Sequence, residues 1–124
     1  MKKSLLVLAM ILGSFLFAFG APEKIVLSGG SAHPGRDGLP LYFDMPDAYY
    51  NYGIKTQEIL IDGGGVVNYY DVEITSPVTN AVELTTQVDG NYDTFDISSL
   101  APGLHVITIE SPSGNIYEGT FTSY

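Results

Sequence analysis

Apolar and polar positions alternate with a period of two along most of the chain beyond residue 20. Tyr70, Val72 and Ile74 alternate with Asp71, Glu73 and Thr75; Val82, Leu84 and Val88 with Glu83, Thr85 and Gln87; His105, Ile107 and Ile109 with Val106, Thr108 and Glu110. Successive side chains of a strand point to opposite faces, so each run predicts a strand with one face in a core. The predicted strands are Lys24–Ser28, Leu41–Asp44, Gln57–Asp62, one within Val66–Thr75, Ala81–Val88, Phe95–Ile97, His105–Ile109 and Ile116–Thr122. Turn residues separate them: Gly63-Gly64-Gly65, Ser76–Asn80, Asp89-Gly90-Asn91 as a hairpin turn, Ala101-Pro102-Gly103 and Ser111–Asn115. Gly29–Pro40 reads as a loop or covered edge. Asp47–Lys55, rich in tyrosine and following Pro46, reads as irregular. No mature segment carries a helical pattern. Seven or eight short strands with regular turns predict an all-β, antiparallel β-sandwich; a closed barrel is the alternative that spacing leaves open.

The first 20 residues follow another rule. Met1-Lys2-Lys3 is basic, and Leu5 through Phe19 is an almost wholly apolar run of about 15 residues. A membrane-spanning helix needs about 20. Ala18 and Gly20 are the small residues that a signal peptidase site requires, with Ala21 as the first mature residue. The expected organisation is a cleaved signal peptide over 1–20 and one domain over 21–124. The protein is then exported (periplasmic, cell-surface or secreted) with no membrane insertion after cleavage.

Charge narrows the partners. The whole chain carries −9; with residues 1–20 removed, Lys24, Arg36 and Lys55 stand against 14 acidic residues, giving −11 (3 minus 14). Such a surface repels phosphates, which excludes nucleic acid as a partner. The chain has no cysteine, so disulfides, thiolate metal sites and cysteine nucleophiles are absent. About 104 mature residues make one core without staples.

No motif carries catalysis or a cofactor. There is no Gly-x-Ser-x-Gly elbow, and Gly63–Gly65 precedes no helix. His33 falls in a Gly/Pro loop and His105 in a strand. Asp89-Gly90-Asn91-Tyr92-Asp93 begins like a calcium loop, but the sixth and twelfth positions are Thr94 and Leu100 where Gly and Glu are needed. The expectation is no catalytic residue, no metal and no cofactor. Tyrosine is the compositional oddity, nine with no tryptophan. Tyr49, Tyr50 and Tyr52 cluster in the segment read as a loop. Tyrosine joins a large apolar ring to a polar tip, which suits sugar or protein contacts, so these three are the candidate ligand-binding residues. The competing reading is that the rings fold back over an open end of the core.

Several features together resemble a family of small secreted Bacteroidetes proteins of unknown function with an immunoglobulin-like β-sandwich fold. They are the lysine-led leader soon followed by Ile25-Val26-Leu27, the Arg36–Pro40 segment, and the pairing of Val72–Ile74 with Val82–Leu84. The most specific is Asp96-Ile97-Ser98-Ser99-Leu100-Ala101-Pro102-Gly103, followed by alternating apolar residues and Tyr117-x-Gly119-x-Phe121. The resemblance implies that fold for nearly all of the mature chain. It departs at His105, where the family usually has a tyrosine whose hydroxyl returns to upstream backbone; an imidazole makes the same return over a shorter reach. The corner also resembles the C-terminal sorting module of gliding-bacterium secretion systems, but Thr120-Phe121-Thr122-Ser123-Tyr124 lacks the basic residues of that module's last strand. The function expected is a secreted, non-catalytic interaction module for an unknown protein or glycan outside the inner membrane. The alternative is a structural or surface-assembly subunit acting through β-strand pairing.

Overall fold

The computed structural model describes residues 22–29, 43–53 and 56–124. The signal-peptide reading and its boundary, His33, Arg36–Pro40, Leu41 and Lys55 lie outside the described residues. Nine strands form: β1 Glu23–Ile25, β2 Ser28–Gly29, β3 Asp47–Tyr52, β4 Gln57–Asp62, β5 Tyr69–Thr75, β6 Val82–Asp89, β7 Tyr92–Asp96, β8 Gly103–Glu110 and β9 Ile116–Ser123. They build two antiparallel sheets, β1-β3-β4-β7 and β2-β9-β8-β5-β6, and so a sandwich of two sheets, the barrel being the reading not realised.

The period-two pattern decides which side chains meet between the sheets. Ile25, Ala48, Tyr50, Ile59, Ile61 and Ile97 line one inner face; Tyr70, Val72, Ile74, Val88, Ile107, Ile109 and Phe121 line the other, all buried. Leu100 packs at the margin, half-buried.

Four expectations are corrected. Asp47–Tyr52 is a strand, not a loop: Ala48 and Tyr50 point inward while Tyr49 and Asn51 face out, and β3 pairs with both β1 and β4. Tyrosine fits a pleated, half-buried surface well, and that outweighs the loop signals of Pro46, Asn51 and Gly53. The first predicted strand is two short pieces, one in each sheet, with Val26-Leu27 between them. Of the second, Phe43-Asp44 lies in a turn, and Leu41-Tyr42 are outside the described residues. Asp89-Gly90-Asn91 closes no hairpin: β6 pairs with β5 and β7 with β4, so the turn carries the chain from one sheet to the other. Gly90 is needed there because a Cβ would stand 1.9 Å from the Val67 carbonyl oxygen. Its N–H donates to Asn68 O at 2.9 Å.

The phase of β6 also changes within the strand. Val82 pairs with Thr75 and Leu84 with Ile74, which leaves Glu83 as an extra residue in a β-bulge. Val82, expected inward, is 57% exposed, and the Glu83 carboxylate turns onto the start of β8. The Pro102 corner matches its reading. Gly103 takes φ +131°, open to glycine and strained for other residues. Ser98 donates from both N–H and Oγ to Asp96 Oδ1, at 2.9 and 2.6 Å, and Ile97 N–H donates to Gln57 O. These two bonds from Ser98, side chain first, hold the exposed Asp96 carboxyl below its usual range.

Candidate functional site

At one end of the sandwich the last residues of β3 and β9 bring their rings together. Tyr50 and Tyr52, two apart on β3, share a face and stack with centroids 5.6 Å apart at 13°. Tyr124 lies over both, 6.1 Å from Tyr50 and 5.0 Å from Tyr52, and Phe121 continues the stack from Tyr50 to His105. Gln57, at the start of β4, fastens the group. It accepts from Tyr50 OH at 2.8 Å and donates to Tyr124 O at 2.9 Å, and Tyr124 N–H donates to Tyr50 OH at 3.1 Å.

The three candidate tyrosines thus take different positions. Tyr50 is 1% exposed and belongs to the core, and burial raises its phenol pKa. Tyr52 is half-buried on the same face, at the rim. Tyr49 is on the outer face, between Lys24 of β1 and Leu60 of β4. Tyr124, 61% exposed, joins the cluster from 74 positions beyond Tyr50. Local sequence carries no signal for that meeting; only the register of two sheets creates it. The rings of Tyr50, Tyr52 and Tyr124 form an ordered aromatic platform at this end of the core.

Next to this platform His105 anchors the corner. Nε2 lies 2.7 Å from Ala101 O and 3.0 Å from Ser123 Oγ, while Nδ1 lies 2.7 Å from Glu83 Oε1. The return to upstream backbone that a corner tyrosine makes is therefore made by the imidazole. Ser123, His105 and Glu83 form a hydrogen-bonded chain across three strands. Each ring nitrogen thus faces an acceptor oxygen, the Ala101 carbonyl on one side and the Glu83 carboxylate on the other. Ser123 Oγ gives its own proton to Ala101 O at 2.9 Å. Both residues are 3% exposed. The arrangement ties β6, β8 and β9 together.

The opposite end holds a buried carboxylate that the sequence reading missed. Asp44, 1% exposed, accepts hydrogen bonds from Ser113 Oγ, Tyr117 OH and Asn115 Nδ2, the last at 3.0 Å, with Ser111 alongside. Burial alone would push this carboxyl up, but the bonds from Ser111, Ser113, Tyr117 and Asn115 together hold it below its usual range. Tyr70 OH donates to the Asp44 carbonyl at 2.8 Å, and burial with the nearby Asp44 charge pushes its phenol up to about 12. Tyr117 moves in the same direction through burial and its bond to Asp44. A signal existed: Ser111, Ser113, Asn115 and Tyr117 are polar at alternate positions entering β9, on one face of the hairpin.

Asp89 and Asp93, which open the incomplete calcium pattern, cap turns: Asp89 Oδ1 accepts Asn91 N–H at 2.7 Å, and Asp93 accepts the N–H groups of Asp89 and Thr94. Among the described residues no cluster of His, Cys, Asp and Glu fits a metal ion.

Neither a protein-family model nor a curated protein matches this chain. A solved structure does: a DUF3244-family protein with an immunoglobulin-like β-sandwich fold from Bacteroides vulgatus ATCC 8482, 13% identical, covering 83% of this chain and 99% of that one, with a TM-score of 0.60. The fold is an immunoglobulin-like β-sandwich. The resemblance drawn from the Pro102 corner and its flanking strands therefore points to the same architecture as the structure. In that fold His105 stands at the corner that a tyrosine commonly occupies.

Proposed function

We propose that this protein is an exported, non-catalytic interaction module that recognises a glycan or protein outside the inner membrane. Its contact surface is the platform of Tyr52 and Tyr124. The observation that carries this reading is the fixed ring pair, 5.0 Å between centroids, held from beneath by the buried Tyr50 and the Gln57 hydrogen bonds. A pre-ordered aromatic surface binds with little loss of side-chain entropy. Tyr50 supports the site without touching a ligand, and Tyr49, on the other face of β3, lies outside it. The basic leader and apolar run support export. The test is a glycan-array and pull-down screen of the mature chain against the Tyr52→Ser/Tyr124→Ser variant. A ligand bound by the first and weakened about tenfold or more in the second, roughly 1.4 kcal/mol or more, supports the reading. A ligand held equally by both overturns it.

A further inference from the structure

We propose that β6 is a docking edge that accepts an extended, lysine- or arginine-bearing segment of another protein as an additional strand of the five-stranded sheet. This adds a second surface to the module and does not depend on the tyrosine platform.

The edge itself is the first observation. β6 is the terminal strand of its sheet, eight residues long, and among the described residues it pairs with β5 alone. The edge strands at the other side are short, three residues in β1 and two in β2. Sandwich domains blunt long edges with lysine, proline or bulges. β6 holds neither lysine nor proline, and its bulge falls at Glu83, near one end. From Leu84 to Val88 the ladder with β5 is regular, and among the described residues no strand pairs with the other side of this stretch; it ends where the Asp89 N–H donates to Asp93 Oδ2 at 3.0 Å.

Charge selects the occupant. Asp71 stands directly opposite Glu110, and Glu73 opposite Thr108, across β5 and β8; Thr85 and Gln87 of β6 complete the rows. These carboxylates line an open concavity of about 430 Å³ with Thr85, Thr86 and Thr108. Like charges directly opposite each other destabilise a sheet. The only lysine or arginine among the described residues is Lys24, on the other sheet and beside Asp47 at 3.5 Å. A strand added at β6 with lysine or arginine on its outer face lays flexible cationic stems across Thr85 and Gln87 toward Asp71 and Glu73. It supplies counter-charge to a face on which, among the described residues, no lysine or arginine stands. A second copy of the chain brings more negative charge to the same face and is disfavoured.

The test uses the mature protein and three fluorescent eight-residue peptides: alternating lysine and valine, the same with glutamate for lysine, and the lysine peptide with a central proline. Anisotropy measures binding, and amide hydrogen exchange reports new protection along β6. The expected result is binding of the lysine peptide, protection at alternate β6 amides, and at least tenfold weakening by Glu73→Lys/Glu110→Lys, by the central proline or by high salt. Both substituted residues are exposed, and a melting curve checks that the variant is folded; the proline peptide and the salt series keep the test decisive with wild-type protein alone. No binding at low salt, equal binding of the glutamate peptide, binding without β6 protection, or self-association through β6 would each overturn the inference. Loss of a platform ligand in Tyr52→Ser/Tyr124→Ser leaves the peptide result unchanged, so the two readings fail separately.

Discussion

Replacing Asp44 by Ala tests how the Ser111–Tyr117 hairpin is held. The wild-type carboxylate is 1% exposed and collects donors from four residues of one turn and strand. Hydrogen bonds to a charged group contribute about 1.5–3 kcal/mol each, and an orphaned buried donor costs about 1–3 kcal/mol. Ser111 and Ser113 retain each other at 2.8 Å, and Ser113 is exposed to solvent. Tyr117 and Asn115 are 0% and 6% exposed, so their donors to Asp44 are lost without replacement by bulk water. Two such donors give an expected loss of about 3–5 kcal/mol, a large part of the roughly 5–15 kcal/mol that a domain has. Tyr117→Phe removes one donor and should cost about 1–2 kcal/mol. Urea unfolding at neutral pH, with midpoints and slopes for both single variants and the double, gives the coupling directly. The double variant should be clearly less destabilised than the sum. A cost below ~1 kcal/mol for Asp44→Ala, or strict additivity with Tyr117→Phe, refutes the reasoning. The pH dependence follows in sign. The folded carboxyl lies below its unfolded value near 4, so its contribution is present above about pH 4 and is lost as pH falls through the folded value. In Asp44→Asn that acid-side loss should shrink.

Tyr70 sits at about 12 folded against about 10 unfolded, so its contribution is full below pH 10 and about 2 kcal/mol is gone by pH 12. Tyr70→Phe should flatten that alkaline loss in unfolding measured across the window; an unchanged slope argues against it. Ile107→Ala should cost about 2–5 kcal/mol and Leu100→Ala, half-buried at the margin, about 1–2 kcal/mol, and equal denaturant midpoints would contradict the burial order.

The sequence was most legible where one rule governs a whole run. Tyr70–Thr75 and His105–Ile109 alternate without interruption, and their buried and exposed faces are as the pattern requires. Fold class followed from such runs and from the Pro102 corner. The failures share a cause, which is that turn and loop signals are local while pairing is not. Asp89-Gly90-Asn91 carries hairpin chemistry, yet the chain leaves it for the other sheet, and Gly90 is fixed by a backbone contact with Val67 that no spacing reveals. Tyr49-Tyr50-Asn51-Tyr52 does alternate, with Tyr50 and Tyr52 on one face, but three similar rings hide the period. The Glu83 bulge, which turns an exposed-phase carboxylate onto His105, leaves no trace in composition. In the Asp47–Gly53 segment the richness in tyrosine was legible, and the strand that divides its rings between two faces was not.

The most direct test of the interaction-module reading is amide chemical-shift mapping of a ligand found on the array against isotope-labelled mature protein. The account predicts shifts concentrated at Tyr52, Gln57 and Tyr124, with Tyr49 and the Asp44 end unchanged. Shifts centred elsewhere, with the Tyr52–Tyr124 end silent at saturation, would contradict it.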